Sequence, residues 1–291
     1  MAKNYVECVY GTWGEKRLLR LVCDDMTIDA LHQHAAKIVR QISDDDVMNG
    51  LPGVMDGRQT KQVAGMIHIA CLALDMFMTG LGLMPRNLSP DLFHVLTARE
   101  FNRHIGKSFS GSVRRGHTYL RRPKNTAELM TSFMRTLCHE TMHLSAATVV
   151  EIEPVAGQII SLRTGLLKKV GGLAMFGGLN ESVTDRASKL LYSIVCAMLG
   201  ITDSPEEMVD LAPTTSSYEP HEAIVDLVCR RVYPESNGAE GWNELFYDLW
   251  CGTNRWLEQV MVIWPAAAVV LCALDATAKS AVDARLTLGL D

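Results

Sequence analysis

The clearest periodicity in the chain lies between residues 125 and 145. Leu129, Met130, Phe133, Met134, Leu137 and Cys138 recur at steps of three and four, the spacing that gathers apolar side chains on one face of a helix. Asn125-Thr126-Ala127-Glu128, just after Pro123, supplies a start: an Asn or Thr side chain accepts from a first-turn N–H, and a glutamate three residues on reaches back. Downstream the period falls to two. Residues 149–153, 158–163 and 166–170 read as short strands broken at Pro154, Gly157, Gly165 and Gly171-Gly172, which predicts one or two hairpins. A second helix begins after Gly177-Gly178. Ahead of the first helix, residues 116–121 alternate as a strand.

The flanks are simpler. Residues 5–10 and 17–23 form an expected opening hairpin round Gly11-Thr12-Trp13-Gly14, residues 26–42 an amphipathic helix, and residues 44–57 an acidic, Gly-containing connection. Residues 59–83 give a further helix. Toward the end, Trp242, Leu245, Phe246, Leu249 and Trp250 make an aromatic helical stripe, and residues 256–281 stay helix-compatible with a break at Pro265. The pattern divides the chain into a mainly helical part at 1–86, a core at 87–235 and a helical part at 236–291. The expected class is α+β, rich in helix.

Composition trims the options. With 291 residues, 48% of them hydrophobic, a sizeable core can form. The apolar run at 63–84 is interrupted by His68 and Asp75, and a central carboxylate in lipid costs roughly 2.5 kcal/mol or more. The run at 260–274 is shorter than the about 20 residues that span a bilayer. No membrane span is expected. The start carries no apolar leader, and the eight cysteines are scattered through apolar patterns as reduced thiols, so a cytoplasmic setting is expected. Net charge is −5, yet Arg103, Lys107, Arg114, Arg115, Arg121, Arg122 and Lys124 lie in a stretch without acids. Such a run reads first as a solvated face and otherwise as an anion-attracting surface. No aromatic-interleaved basic module is present, so nucleic acid is not an expected partner.

The chemistry sits near the end of the periodic helix, in His139-Glu140-Thr141-Met142-His143. Positions i and i+4 of a helix differ by about 40° of rotation, so both imidazoles can share one tetrahedral ion while Glu140 reaches its water. A chain of this composition would show H-E-x-x-H by chance roughly 0.015 times, so context has to support it. The second helix does. Glu181 and Asp185 are again four apart, the first placed to complete a metal site and the second to accept the outer N–H of a ligating imidazole. Neither a third histidine at position 149, which is Val, nor a C-x-x-C pair offers another metal pattern.

His139-Glu140-x-x-His143 followed by Asn180-Glu181-x-x-Thr184-Asp185 resembles the gluzincin metallopeptidases, the thermolysin-like clan, over roughly residues 117–225. The resemblance implies a zincin-like core with a small β-sheet and two zinc-binding helices. It implies one zinc ion per chain on His139, His143 and Glu181, with Glu140 as general base and Asp185 orienting the first histidine. It also implies a downstream Tyr or His that stabilises the oxyanion. Tyr218 is favoured for that role over His221, whose ordinary reading is a solvated or capping residue. The strand at 116–121 would be the edge to which an extended peptide adds. The 37 residues between His143 and Glu181 exceed the spacing in thermolysin itself. The expected activity is zinc-dependent hydrolysis of peptide bonds in a peptide or protein substrate. The competing expectations are an idle protease-like module that holds a peptide and an anion-binding protein built on the basic stretch.

Overall fold

The structure is a computed structural model and describes residues 4–10, 17–23, 60–114, 116–152, 159–201 and 218–290. The expected turn at 11–14, the helix at 26–42 and the acidic connection at 44–57 lie outside these residues. In chain order the elements are β1 (Asn4–Tyr10), β2 (Arg17–Cys23), α1 (Lys61–Gly80), β3 (Phe93–Leu96), α2 (Ala98–His104), β4 (Gly111–Arg114) and β5 (His117–Arg121). An α-turn at Thr126–Glu128 and a π-turn at Leu129–Phe133 then lead into α3 (Met134–Ser145). β6 (Thr148–Ile152), β7 (Ile159–Thr164), β8 (Leu167–Val170), β9 (Leu173–Met175) and α4 (Gly177–Met198) follow. The chain closes with α5 (Glu219–Val232), α6 (Ala239–Cys251), α7 (Arg255–Ile263), α8 (Pro265–Ala273) and α9 (Ala278–Leu288). The fold is α+β and rich in helix.

Two compact units divide the chain, one drawn from residues 1–40, 146–186 and 216–291, the other from 41–145 and 187–215. The first contains a sheet in the order β1-β2-β6-β7-β8-β9. β2 and β6 run parallel; the other neighbours are antiparallel. Gly171 and Gly172 both adopt positive φ, the two-residue turn that matches strand twist, so the glycine pair closes the β8–β9 hairpin. Within this unit the aromatic stripe of α6 is buried, and Pro265 opens α8 at its first turn, where a missing N–H costs nothing. The Arg163 guanidinium donates to the carbonyls of Gly252 and Thr253. Buried Asp248 accepts from the N–H groups of Arg255 and Trp256, tying the end of α6 to the start of α7.

In the second unit, β5 lies between β3, parallel to it, and β4, antiparallel to it. This corrects the expectation that 116–121 is an edge strand. Four-residue segments such as Phe93–Leu96 and Gly111–Arg114 are too short to show a period, so β5's two flanking partners leave no sign in the sequence. Among the described residues, β3 and β4 are the two edges of this sheet, and β4 is the edge that lies against α3 at Glu140. The backbone N–H of Arg121 donates to the Ser110 carbonyl, which makes 110/121 a hydrogen-bonded pair and, by alternation, 112/119 and 114/117 as well. The N–H and C=O groups of Gly111 and Val113 therefore face away from β5.

α1 packs on α3 and buries Val63, Met66, Ile67, Ala70, Cys71, Ala73, Leu74 and Met78. By length and composition it is apolar enough to cross a membrane, with 44% of its most apolar window buried. Its Asp75 has a structural partner: Oδ1 accepts the N–H groups of Arg86 and Asn87 at 2.9 and 3.0 Å. Cys71, Cys138, Cys196, Cys229, Cys251 and Cys272 are free thiols.

Candidate metal centre

The helix that carries the motif is fixed at both ends. Asn125 Oδ1 accepts the Glu128 N–H at 2.9 Å, and Glu128 Oε2 reaches back to the Lys124 N–H at 2.6 Å, one residue earlier than a standard capping box. At the other end the Arg86 guanidinium Nε donates to the Ser145 carbonyl at 2.9 Å, satisfying an acceptor that the last turn leaves open. One turn before that, the half-buried His139 and His143 rings stand edge to face, their centroids 4.7 Å apart. Glu140 is buried and lies against Gly111 of β4.

The helix that carries Glu181 is held differently. The Phe176 and Gly178 N–H groups donate to the carbonyls of Cys272 and Leu274, at 3.0 and 2.8 Å. A Cβ on Gly178 would overlap the Asp275 carbonyl oxygen and come within 2.7 Å of Leu274 Cγ and 2.8 Å of His221 Cδ2, so only glycine fits this approach. Asn180 is buried and its Oδ1 accepts the N–H groups of Leu166 and Leu167, at 2.9 and 3.4 Å, pinning the β7–β8 turn to the first turns of α4. The sequence motif included Asn180 without giving it a task; this is its task. Asp185, one turn after Glu181, is buried as well.

His139, His143 and Glu181 each present one ligand atom, and these atoms lie within 4.8 Å of one another. The group can hold a metal ion. The two histidine Nε2 atoms are 3.1 Å apart, close to the about 3.4 Å expected between two imidazole nitrogens bound at about 2.05 Å on a tetrahedral ion. Two nitrogens and one carboxylate oxygen form a donor set typical of such sites. Cys138, adjacent in sequence, is wholly buried, and burial pushes its thiol well above the ordinary cysteine range, so it packs as a neutral thiol. Comparison with protein families, curated proteins and solved structures found no match to this chain.

Of the two downstream candidates, Tyr218 occupies the N-cap position of α5, half-buried, with its ring 5.8 Å from that of His221 and edge-on to it. His221 is not solvated: it has no exposed surface, and its Nε2–H donates to the Asp275 carbonyl at 2.9 Å, leaving Nδ1 without a hydrogen-bond partner. It sits directly under Gly178 because α5 and the 272–275 segment both pack there, a convergence invisible in sequence. The basic stretch also departs from a plain solvated face. Arg114 donates to the carbonyls of His104 and Ile105, and Arg121 to those of Lys107 and Phe109 and to Asn102 Oδ1. These two arginines satisfy the carbonyls at the end of α2 and hold the turn that leads into β4.

Proposed function

We propose that the chain is a zinc-dependent endopeptidase of gluzincin type with a zincin-like core. The observation that carries this reading is the convergence of His139, His143 and Glu181 on one point, with a buried glutamate next to the first histidine. Zinc held there would lower the pKa of a bound water toward about 7 and polarise a carbonyl oxygen. To ligate through Nε2 both imidazoles must be neutral with the proton on Nδ1, and Asp185 is assigned to accept that proton's hydrogen bond from His139. Glu140 accepts a proton from the attacking water and passes it to the nitrogen of the leaving amine. The Tyr218 hydroxyl is assigned to donate to the oxyanion; the wholly buried His221 is assigned to support the start of α4.

The substrate shelf moves with the corrected topology. Of the two edge strands β4 is the one beside Glu140, and with the outward N–H and C=O groups of Gly111 and Val113 it is the strand to which an extended peptide would add by main-chain hydrogen bonds, a mode that tolerates many side chains. The test is a measurement of metal and of turnover on the same preparation. Purified chain should carry one zinc and cleave a peptide library in a chelator-sensitive way, and Glu140→Ala should keep the zinc while losing cleavage. Zinc without cleavage would favour a peptide-holding module, and a chain without zinc would favour an anion-binding protein.

A further inference from the structure

A glycine inside a strand weakens it, and where one persists another group commonly approaches closely. Gly111 is buried, has ordinary strand pairing, and shows no positive φ that would call for glycine. What it has is a neighbour. A Cβ built on Gly111 would lie 2.5 Å from Glu140 Cγ, 2.8 Å from Glu140 Oε1 and 2.7 Å from Thr136 Cγ2. Real Cβ contacts are not that short, so something must move. The turn before β4 is held by Arg121 on the carbonyls of Lys107 and Phe109, and the strand itself by its pairing with β5. The helix is held by Asn125 at its start and Arg86 at its end. Two of the three closest atoms belong to the Glu140 side chain, so an added methyl group displaces that side chain by a change of rotamer.

We propose that Gly111 is a positioning residue for Glu140: the missing side chain leaves the space in which that carboxylate is held, and filling it rotates the general base out of place. The functional half of this inference rests on the peptidase reading above. The contact itself does not.

Stability separates the two. Gly111→Ala should lower the melting temperature, and the loss should shrink by more than half when Glu140→Ala is already present and nearly vanish with Thr136→Ser added. Should Gly111→Ala alone not fold, recovery of a folded, metal-binding chain in the Glu140→Ala/Thr136→Ser background supports the proposal, and failure there overturns it. Equal losses in all backgrounds also overturn it, whatever the activity. In the active chain, Gly111→Ala should cut kcat by about 100-fold, the scale of a general base, with KM changed less than about threefold and one metal per chain retained. The double variant with Glu140→Ala should be no slower than Glu140→Ala alone. Wild-type kcat in Gly111→Ala would overturn the proposal, and so would multiplicative rate losses in the double variant. Gly65→Ala, on the exposed face of α1 where an added Cβ meets open space, is the control. A wild-type chain that never cleaves, with the stability coupling intact, overturns the peptidase reading while the Gly111–Glu140 contact stands.

Discussion

The two helices that carry the candidate ligands are secured by different means. α3 is held by side chains: an asparagine three residues from its partner, a glutamate reaching back, and an arginine on the last-turn carbonyl. The start of α4 is held mainly by backbone, through Phe176 and Gly178 on the carbonyls of residues 272 and 274, with the buried His221 beneath and Asn180 on the β7–β8 turn. A side-chain cap can be removed one bond at a time. A backbone dock depends on the whole 272–275 segment being in place, so Glu181 is the candidate ligand more exposed to distant changes. Side chains of the histidine helix can thus be altered with local effect, whereas the Glu181 helix couples to α5 and to the residues after α8.

The largest effect should come from the ligands themselves. His143→Ala leaves a histidine and a carboxylate, and bound metal measured by plasma mass spectrometry should fall from about one to near zero per chain, with all proposed turnover lost. Retention of stoichiometric metal would break the three-ligand assignment. Next, Gly178→Ala forces a methyl group against the Asp275 carbonyl and His221 and should destabilise by about 1–3 kcal/mol in denaturant melts. If the docking matters to the ligand, metal affinity should drop about 10-fold or more alongside, the scale seen when a supporting residue is lost. Asn180→Ala strands the buried Leu166 N–H and loosens the half-buried Leu167 N–H and should cost about 1–3 kcal/mol, again with weaker metal binding. An unchanged melt would remove Asn180 from the anchoring account. Smallest is Asn125→Ala, which removes one helix cap for about 1 kcal/mol and should leave metal affinity within about twofold. A larger metal effect from Asn125 than from Gly178 would reverse the comparison.

Much of the local structure was legible because its causes are local. The opening hairpin, the helix beginning at Asn125, the strands after 148 and the break at Pro265 all follow from period, capping and turn chemistry within a few residues. The partners of β5 were not, since β3 and β4 are too short to show alternation and a strand's place in a sheet is set by what pairs beside it. His221 misled for a related reason. A histidine early in a helix looks like a cap until the 272–275 segment is seen to cover it. The arginines at 114 and 121 looked like surface charge because their acceptors are backbone carbonyls, which carry no sequence signature.

By itself the sequence determined which side chains share a helix face. Four-residue spacing puts His139 with His143 and Glu181 with Asp185, because the helical repeat leaves no other choice once the helices form. Only the tertiary structure decided that atoms of His139, His143 and Glu181 able to bind a metal fall within 4.8 Å of one another, and that Glu140 lies against a glycine on an edge strand. Those placements depend on contacts between residues far apart in the chain, made by backbone groups and close packing rather than by any local repeat.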